Sequence, residues 1–345
     1  MTVFVTGATG VFGRRIVDEL TDRNRTVVGL SRDADGDAAV RDSGGVPVRG
    51  DVLDQDGLRS AADAAGDRSG EAVDAVIHAA TRLPPAERTT AEYWERNDEV
   101  RREGARNLVA ALGDDVDRFV FPSVVWVARQ PDGSCFDETA ERHPDRATRS
   151  AAEVEDFLAD AAADHGFDPL ILRTGFFYGP DDHTTRSFAE NLRSGDLPIV
   201  GGGILGRKDA ELSMLHVDDA GCAVAAAVDA GVTGLYHVVD DEPVTVADYL
   251  RTFAYLLDAP EPSRVPWWLA RPFAGKDAVR FMTSPMPTSS EKFRADVGWE
   301  PDYPTYREGL EQVVEAWRAD GTLAELRGDE DADTGTRTNA VENTV

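Results

Sequence analysis

Apolar residues in the first half of the chain come in short blocks, at Val3–Val5, Thr26–Leu30, Val46–Val48, Val73–His78, Phe119–Phe121 and Pro169–Arg173. None alternates strictly with polar residues, which is how strands buried on both faces of a parallel sheet read. Between them, Glu92–Leu112 and Ala147–Asp164 keep helical spacing, with Ala151, Val154, Leu158 and Ala161 along one side of the second. Alternating strands and helices predict an α/β fold, a doubly wound parallel sheet with right-handed crossovers, over residues 1–174. Then the grammar changes. Proline and glycine crowd Tyr178–Gly206, helix signals sit at Asp218–Ala230, Val246–Leu257 and Tyr306–Ala319, and short strand signals at Leu212–His216 and Leu235–Val239. Residues 175–327 therefore read as a smaller mixed region. The polar, acidic stretch Gly328–Val345 is expected to be disordered.

The first strand runs straight into three glycines, Gly7, Gly10 and Gly13, and then into a helical stripe of Val11, Ile16, Val17 and Leu20. Strand, glycine turn and helix form the physical recipe for holding a pyrophosphate. One glycine permits the sharp turn, one lets backbone approach phosphate, and one lets helix pack close on strand. The helix N-terminus then points N–H groups at the anion. The candidate contacts of this turn are Thr6, Gly7, Thr9, Gly10, Val11, Phe12 and Gly13.

The G-x-x-G-x-x-G spacing after Thr6 resembles the extended branch of the short-chain dehydrogenase/reductase superfamily, the NAD-dependent epimerases, dehydratases and reductases. The likeness runs from about Thr2 to Trp317. It implies a Rossmann-type first domain and a substrate-pocket region built from segments interleaved with that domain. It also implies a small-molecule substrate, a sugar-nucleotide or another carbonyl or hydroxyl compound.

In that family the residue ending the second strand selects the cofactor: an acid binds the ribose diol of NAD, and an Arg accommodates the 2′-phosphate of NADP. Here Ser31 and Arg32 stand at that place, which favours NADP, with NAD second. Asp51 and Val52 resemble the adenine contact, and Asp51 has the alternative of capping the helix that begins near Gln55. His78, Ala79 and Ala80 fall where the chain passes the ribose and nicotinamide. The alanines fit that close approach, and His78 itself reads as a packed strand-end residue. Phe176 resembles the contact to the nicotinamide carboxamide.

The family's acid/base chemistry uses a Tyr and, four residues on, a Lys. Asp145 and Arg149 occupy those places, and no Tyr lies between Tyr93 and Tyr178. Arg149 can keep the ribose-binding role, but Arg does not give up its proton. The family's hydroxyl falls at Ser123 or Val124, and its helix asparagine near Arg101, with Asn97 one turn earlier. Asp145, Tyr178 and Ser123 are therefore the candidate catalytic residues. Asp145 competes with a helix-capping role, and Tyr178 with packing before a Gly-Pro turn. An active site without Tyr-x-x-x-Lys leaves a second reading open: a dinucleotide-binding sensor, scaffold or assembly protein without redox chemistry.

Composition narrows the partners. The chain has 345 residues and a formal charge of −28, and its only lysines are Lys208, Lys276 and Lys292. The acid is spread along the chain, which suggests a cytoplasmic protein of a high-salt organism and argues against nucleic acid and anionic membrane as partners. Cys135 and Cys222 suggest no metal site. Arg186, Arg207 and Lys208 stand in the pocket-forming region, as surface cations or as anion ligands. Trp267, Trp268, Phe273, Phe281 and Met282 form a greasy stretch that suits a pocket lining or a homodimer contact.

Overall fold

The computed structural model describes residues 1–70, 72–83, 91–201 and 209–326. Arg207, Lys208 and the expected tail from Gly328 lie outside them. The chain divides into two compact units. The first comprises Met1–Phe177, Ser213–Asp241 and Met286–Asp302, and the second comprises Tyr178–Leu212, Glu242–Pro285 and the residues from Tyr303 on.

The first unit is built on seven parallel strands. In chain order it begins β1 (Thr2–Thr6), α1 (Val11–Asp22), β2 (Thr26–Ser31), α2 (Ala34–Asp42), β3 (Val46–Arg49), α3 (Gln55–Ser69) and β4 (Val73–His78). It continues with α4 (Ala91–Leu112), β5 (Arg118–Val124), α5 (Arg149–His165) and β6 (Asp168–Thr174). The strand Gly234–Val238 pairs in parallel with β6 and completes the order Gly234–Val238, β6, β5, β4, β1, β2, β3. The chain winds outward from β1 to β3, then restarts at β4 on the other side. The point of reversal lies between the carboxyl ends of β1 and β4, where doubly wound sheets bind their ligands.

Both faces of this sheet are covered. Val3 and Val5 of β1 pack with Ile16, Val17, Ala220 and Val224 on one side. Phe4 of the same strand packs with Val28, Leu58, Leu108 and Phe119 on the other. Each such side chain stabilises the fold by ~1.5–3 kcal/mol on leaving water. This is why the strands carry apolar runs instead of alternation.

Two sequence expectations change. The segment near Leu235 reads as part of the smaller region but belongs to the main sheet, because the helix Val217–Ala230 serves as a crossover packed on α1. The helix expected from Ala147 starts at Arg149, because Asp145 folds its backbone and side chain onto Thr148 ahead of it.

The second unit has its own core. Tyr249 of the helix Val246–Leu256 lies 6.1 Å from Tyr178 and 6.1 Å from Tyr306, between ring centroids. Phe253 stands 6.0 Å from Trp317, whose indole N–H donates to the carbonyl of Pro180 at 2.8 Å.

Candidate functional site: the glycine turn and the strand ends around it

The three glycines have distinct physical reasons. Gly7 has φ +74°, and a Cβ on it would lie 2.6 Å from the backbone of Ala79 and Ala80. A Cβ on Gly13 would lie 1.9 Å from the carbonyl oxygen of Gly7, so α1 could not pack on its own turn. Gly10 differs. A Cβ there would meet only the Gly7 oxygen, at 3.4 Å, so the protein's own packing does not demand glycine. Gly10 is exposed, sits at the N-terminus of α1 with no side chain capping it, and α1 has no acid in its first turn. An open, uncapped glycine at a helix N-terminus is a cradle for an anionic group such as a pyrophosphate. The residues at this turn fit a dinucleotide.

The end of β2 holds a charged cluster. The buried Ser31 hydroxyl donates to Asp37, and Arg49 donates to both oxygens of the same carboxylate at 2.8 and 2.9 Å. These bonds hold Asp37 down to about 2. Arg49 Nη1 also donates to the carbonyl of Arg32 at 3.4 Å. Asp33 caps α2 by accepting from Gly36 N–H at 2.8 Å. Arg32 is exposed, and its guanidinium has no ion-pair partner among the described residues. Asp37 and Arg49 carry no signal in the sequence, because only the register of β2 on β3 brings Arg49 opposite Ser31. Asp51 is not the helix cap: its carboxylate accepts from Leu53 N–H at 3.0 Å, while Asp54 caps α3. Val52 is buried in the core, its carbonyl accepting from Asn107 at 3.0 Å.

At the exit of β4, the Ala79 N–H donates to the Thr6 carbonyl at 3.1 Å and carries the strand alignment past the glycine turn. His78 is fully buried. Its Nε2 lies 3.2 Å from the carbonyl of Arg101, which can only accept, so Nε2 carries the proton. Nδ1 then accepts from the Thr6 hydroxyl at 2.8 Å. Burial pushes His78 down to about 4. Both ring nitrogens and the Thr6 hydroxyl are thus engaged inside the protein. His78 is packed at the strand end, as its position in the sequence suggests, and with Thr6 forms a buried structural pair whose backbone flanks the turn.

The three catalytic candidates are also committed elsewhere. Ser123 is 2 % exposed and donates to Glu155 at 2.6 Å; Glu155 in turn takes two bonds from Arg173, at 2.9 and 2.6 Å. Strand alternation turns Ser123 into this network and leaves the neighbouring Val124 half-buried. Tyr178 is fully buried in the second unit, where a Cβ on Gly309 would lie 2.2 Å from its hydroxyl. Asp145 accepts from the Ala147 N–H at 3.1 Å and pairs with Arg129 at 2.9 Å. Arg149 is exposed on the first turn of α5, 3.9 Å from Glu153. Phe176 is half-buried, its ring 5.9 Å from that of Trp126. Glu155 and Arg129 were not singled out in the sequence, since each gains meaning only from a partner distant along the chain.

With this geometry in place, comparisons with known proteins bear on it. A model of the NAD dependent epimerase/dehydratase family matches residues 3–239. The 3-diazoavenalumate denitrifying reductase of a Streptomyces species is 33 % identical over 320 residues, covering 90 % of this chain and 99 % of the relative. Among solved structures, the UDP-glucose 4-epimerase of Thermus thermophilus in complex with NAD superposes with a TM-score of 0.73 at 25 % identity, covering 92 % of this chain and 99 % of that one. The human epimerase family protein SDR39U1 with NADPH gives 0.73 at 18 % identity, covering 91 % and 99 %, a likeness of fold.

Proposed function

The chain belongs to the NAD dependent epimerase/dehydratase family, and from that premise we propose that it is a nicotinamide-dependent reductase whose hydride transfer takes no proton from a tyrosine. The observation that carries this is Asp145, tied to Arg129 at 2.9 Å where the family's Tyr belongs, with Arg149 at the place of the Lys. Such a site suits an electrophile that accepts hydride without a protein acid. A dinucleotide held at Gly7, Gly10 and Gly13 would supply hydride, and on an arenediazonium carbon the sum would be Ar–N2+ plus H− giving Ar–H plus N2, with no proton on either side. The Streptomyces relative is named for a diazo substrate and a reductive loss of nitrogen, and its likeness spans nearly its whole length. This class of substrate fits the residues better than a sugar-nucleotide, whose oxidation must move a hydroxyl proton.

The unpaired Arg32 beside Ser31, with Arg49 alongside, supports NADP over NAD. Charge-assisted bonds to a 2′-phosphate contribute ~1.5–3 kcal/mol. Trp268, 56 % exposed, and Leu269 support a homodimer as the form of the protein.

The test follows NADPH oxidation and dinitrogen release with an arenediazonium salt, against the uncatalysed rate and against UDP-glucose. We expect turnover of the diazonium compound alone, kept in Asp145→Ala, and at least tenfold weaker NADPH affinity in Arg32→Ala with NADH unchanged. Loss of turnover in Asp145→Ala would return Asp145 to the role of acid and overturn the proposal. NADPH binding with no turnover of either compound would favour the second reading, a dinucleotide-binding sensor or assembly protein.

A further inference from the structure

The end of β2 holds a carboxylate that the reading above does not use. Asp37 takes both Nε and Nη2 of Arg49, takes the Ser31 hydroxyl, and has Arg41 at 3.9 Å. These bonds keep it ionised at any working pH. Arg32 follows Ser31 in the chain, and its carbonyl accepts from Nη1 of the same Arg49. Asp33, the nearest other acid in sequence, is taken up as the cap of α2.

Packing fixes where this carboxylate stands. Ser31 closes β2, and Gly36 lies in the first turn of α2. A Cβ on Gly36 would lie 3.2 Å from the methyl carbon of Thr9 and 3.2 Å from Cβ of Ser31. The first turn of α2 is therefore fitted between the glycine turn and the end of β2. Asp37 is the next residue, and its carboxylate reaches the Ser31 hydroxyl. This is the strand end at which a doubly wound sheet reads the adenosine ribose of a dinucleotide. The Asp37 side chain is 17 % exposed and that of Arg49 is 51 % exposed, so both stand within reach of a ligand there.

Donor geometry decides what this means. A guanidinium grips phosphate with the same bidentate edge that grips a carboxylate. On Arg49 the Nε–Nη2 edge is filled by Asp37 at 2.8 and 2.9 Å. Ser31 gives its hydroxyl to the same carboxylate and is 1 % exposed. One internal anion has thus engaged two of the three side chains that could hold a phosphate at this strand end, and Arg32 is left. The carboxylate also sets a full negative charge beside any phosphate bound there, and like charges at close range repel. A dinucleotide without a 2′-phosphate meets neither penalty.

We propose that Asp37 is a specificity-determining residue for the cofactor: by occupying Arg49 and Ser31 it restrains the affinity for a 2′-phosphate and keeps NADH competitive with NADPH. Arg49 acts through Asp37, whose charge it cancels, and Arg32 alone grips the phosphate. This rests on the reading above that the 2′-phosphate lies at Arg32. It does not depend on turnover.

The experiment is fluorescence titration of wild type and variants with NADPH and with NADH, at one fixed salt concentration. Asp37→Asn keeps the shape of the side chain and an oxygen for Ser31, but removes the charge and frees Arg49. We expect it to tighten NADPH by about fivefold or more and to leave NADH unchanged. Arg49→Gln leaves the carboxylate uncancelled, so NADPH should weaken by a similar factor, again with NADH unchanged. The double variant Asp37→Asn with Arg49→Gln should return NADPH close to the wild-type value. A double variant as weak as Arg49→Gln alone would mean that Arg49 holds the phosphate directly, and overturns the proposal. So does an Asp37→Asn protein whose NADPH affinity is unchanged or lower, or whose two affinities move together, as a purely structural role for the pair would require. Should Asp37→Asn fold poorly, Asp37→Ser removes the same charge and carries the same expectation. Weakening of NADPH in Arg32→Ala with no effect of Asp37→Asn overturns this inference alone. No effect of Arg32→Ala takes the phosphate away from the end of β2, and the reading above falls with it.

Discussion

At the scale of single residues, the buried histidine of β4 gives the protein a defined response to acid. His78 sits between the Thr6 hydroxyl and the Arg101 carbonyl, and burial lowers it to about 4. In the unfolded chain it titrates near its ordinary value, 6.5. Between those values the unfolded state binds a proton that the folded state refuses, so stability present above about 6.5 is lost as pH falls toward 4. His237, lowered to about 3 by burial, acts in the same direction. Asp37 acts only in more acid solution, because its window opens below 3.8. We expect the stability of wild type relative to His78→Gln to fall by roughly 2 kcal/mol between pH 7 and pH 5, measured by urea unfolding. Parallel curves for the two proteins would show that His78 is not held neutral. That His78 packs at a strand end was legible from its position after an apolar run. Its partners were not, because Thr6 and Arg101 reach it only through the pairing of β1 with β4 and the packing of α4.

At the scale of elements, the turn between β1 and α1 was the clearest feature of the sequence, and the structure separates its glycines by function. Gly13→Ala would press a methyl group onto the Gly7 carbonyl, 1.9 Å away in the present geometry. Overpacking of this sort costs ~1–3 kcal/mol, so the melting temperature should drop by several degrees. Gly10→Val meets no such wall. It should leave the melting temperature of the ligand-free protein nearly unchanged while removing dinucleotide binding. If the Gly10 variant binds NADPH as wild type does, the phosphates do not lie at this turn. The strands and their parallel character were legible because burial on both faces leaves a local signature. The start of α5 was not. Asp145, Ala147 and Thr148 look like helix formers or caps in sequence, but a side-chain turn within the group and the Arg129 ion pair hold Asp145 outside the helix. The same limit applies to Ser123 and Tyr178. Their residue type suggested chemistry, whereas strand phase and the aromatic core of the second unit turned both inward. Gly234–Val238 shows the limit once more: a short apolar strand says nothing local about which sheet it will join.

At the scale of the whole molecule, 64 acidic residues face 36 basic ones, and every basic residue but three is arginine. Salt weakens two opposing effects. It screens favourable surface pairs such as Arg25 with Asp229 and Arg264 with Asp209, each worth ~0–1 kcal/mol. It also screens repulsion among the 28 acids in excess. Repulsion involves many more pairs than attraction here, because every basic residue could be paired and the excess would remain. The screening length falls from ~10 Å at 0.1 M to ~3 Å at 1 M, which is short enough to separate carboxylates on neighbouring helix turns. Buried pairs such as Glu155 with Arg173 are shielded from this change and keep the first unit tied together at any salt concentration. Added sodium chloride should therefore raise the melting temperature markedly between 0.1 and 1 M, with most of the gain at the lower end of the range, where the screening length changes fastest. Potassium chloride should act alike, since screening depends on ionic strength and not on the cation. A melting temperature that stays flat or falls over that range would show that the surface pairs outweigh the excess charge, and would remove the case for a protein adapted to high salt.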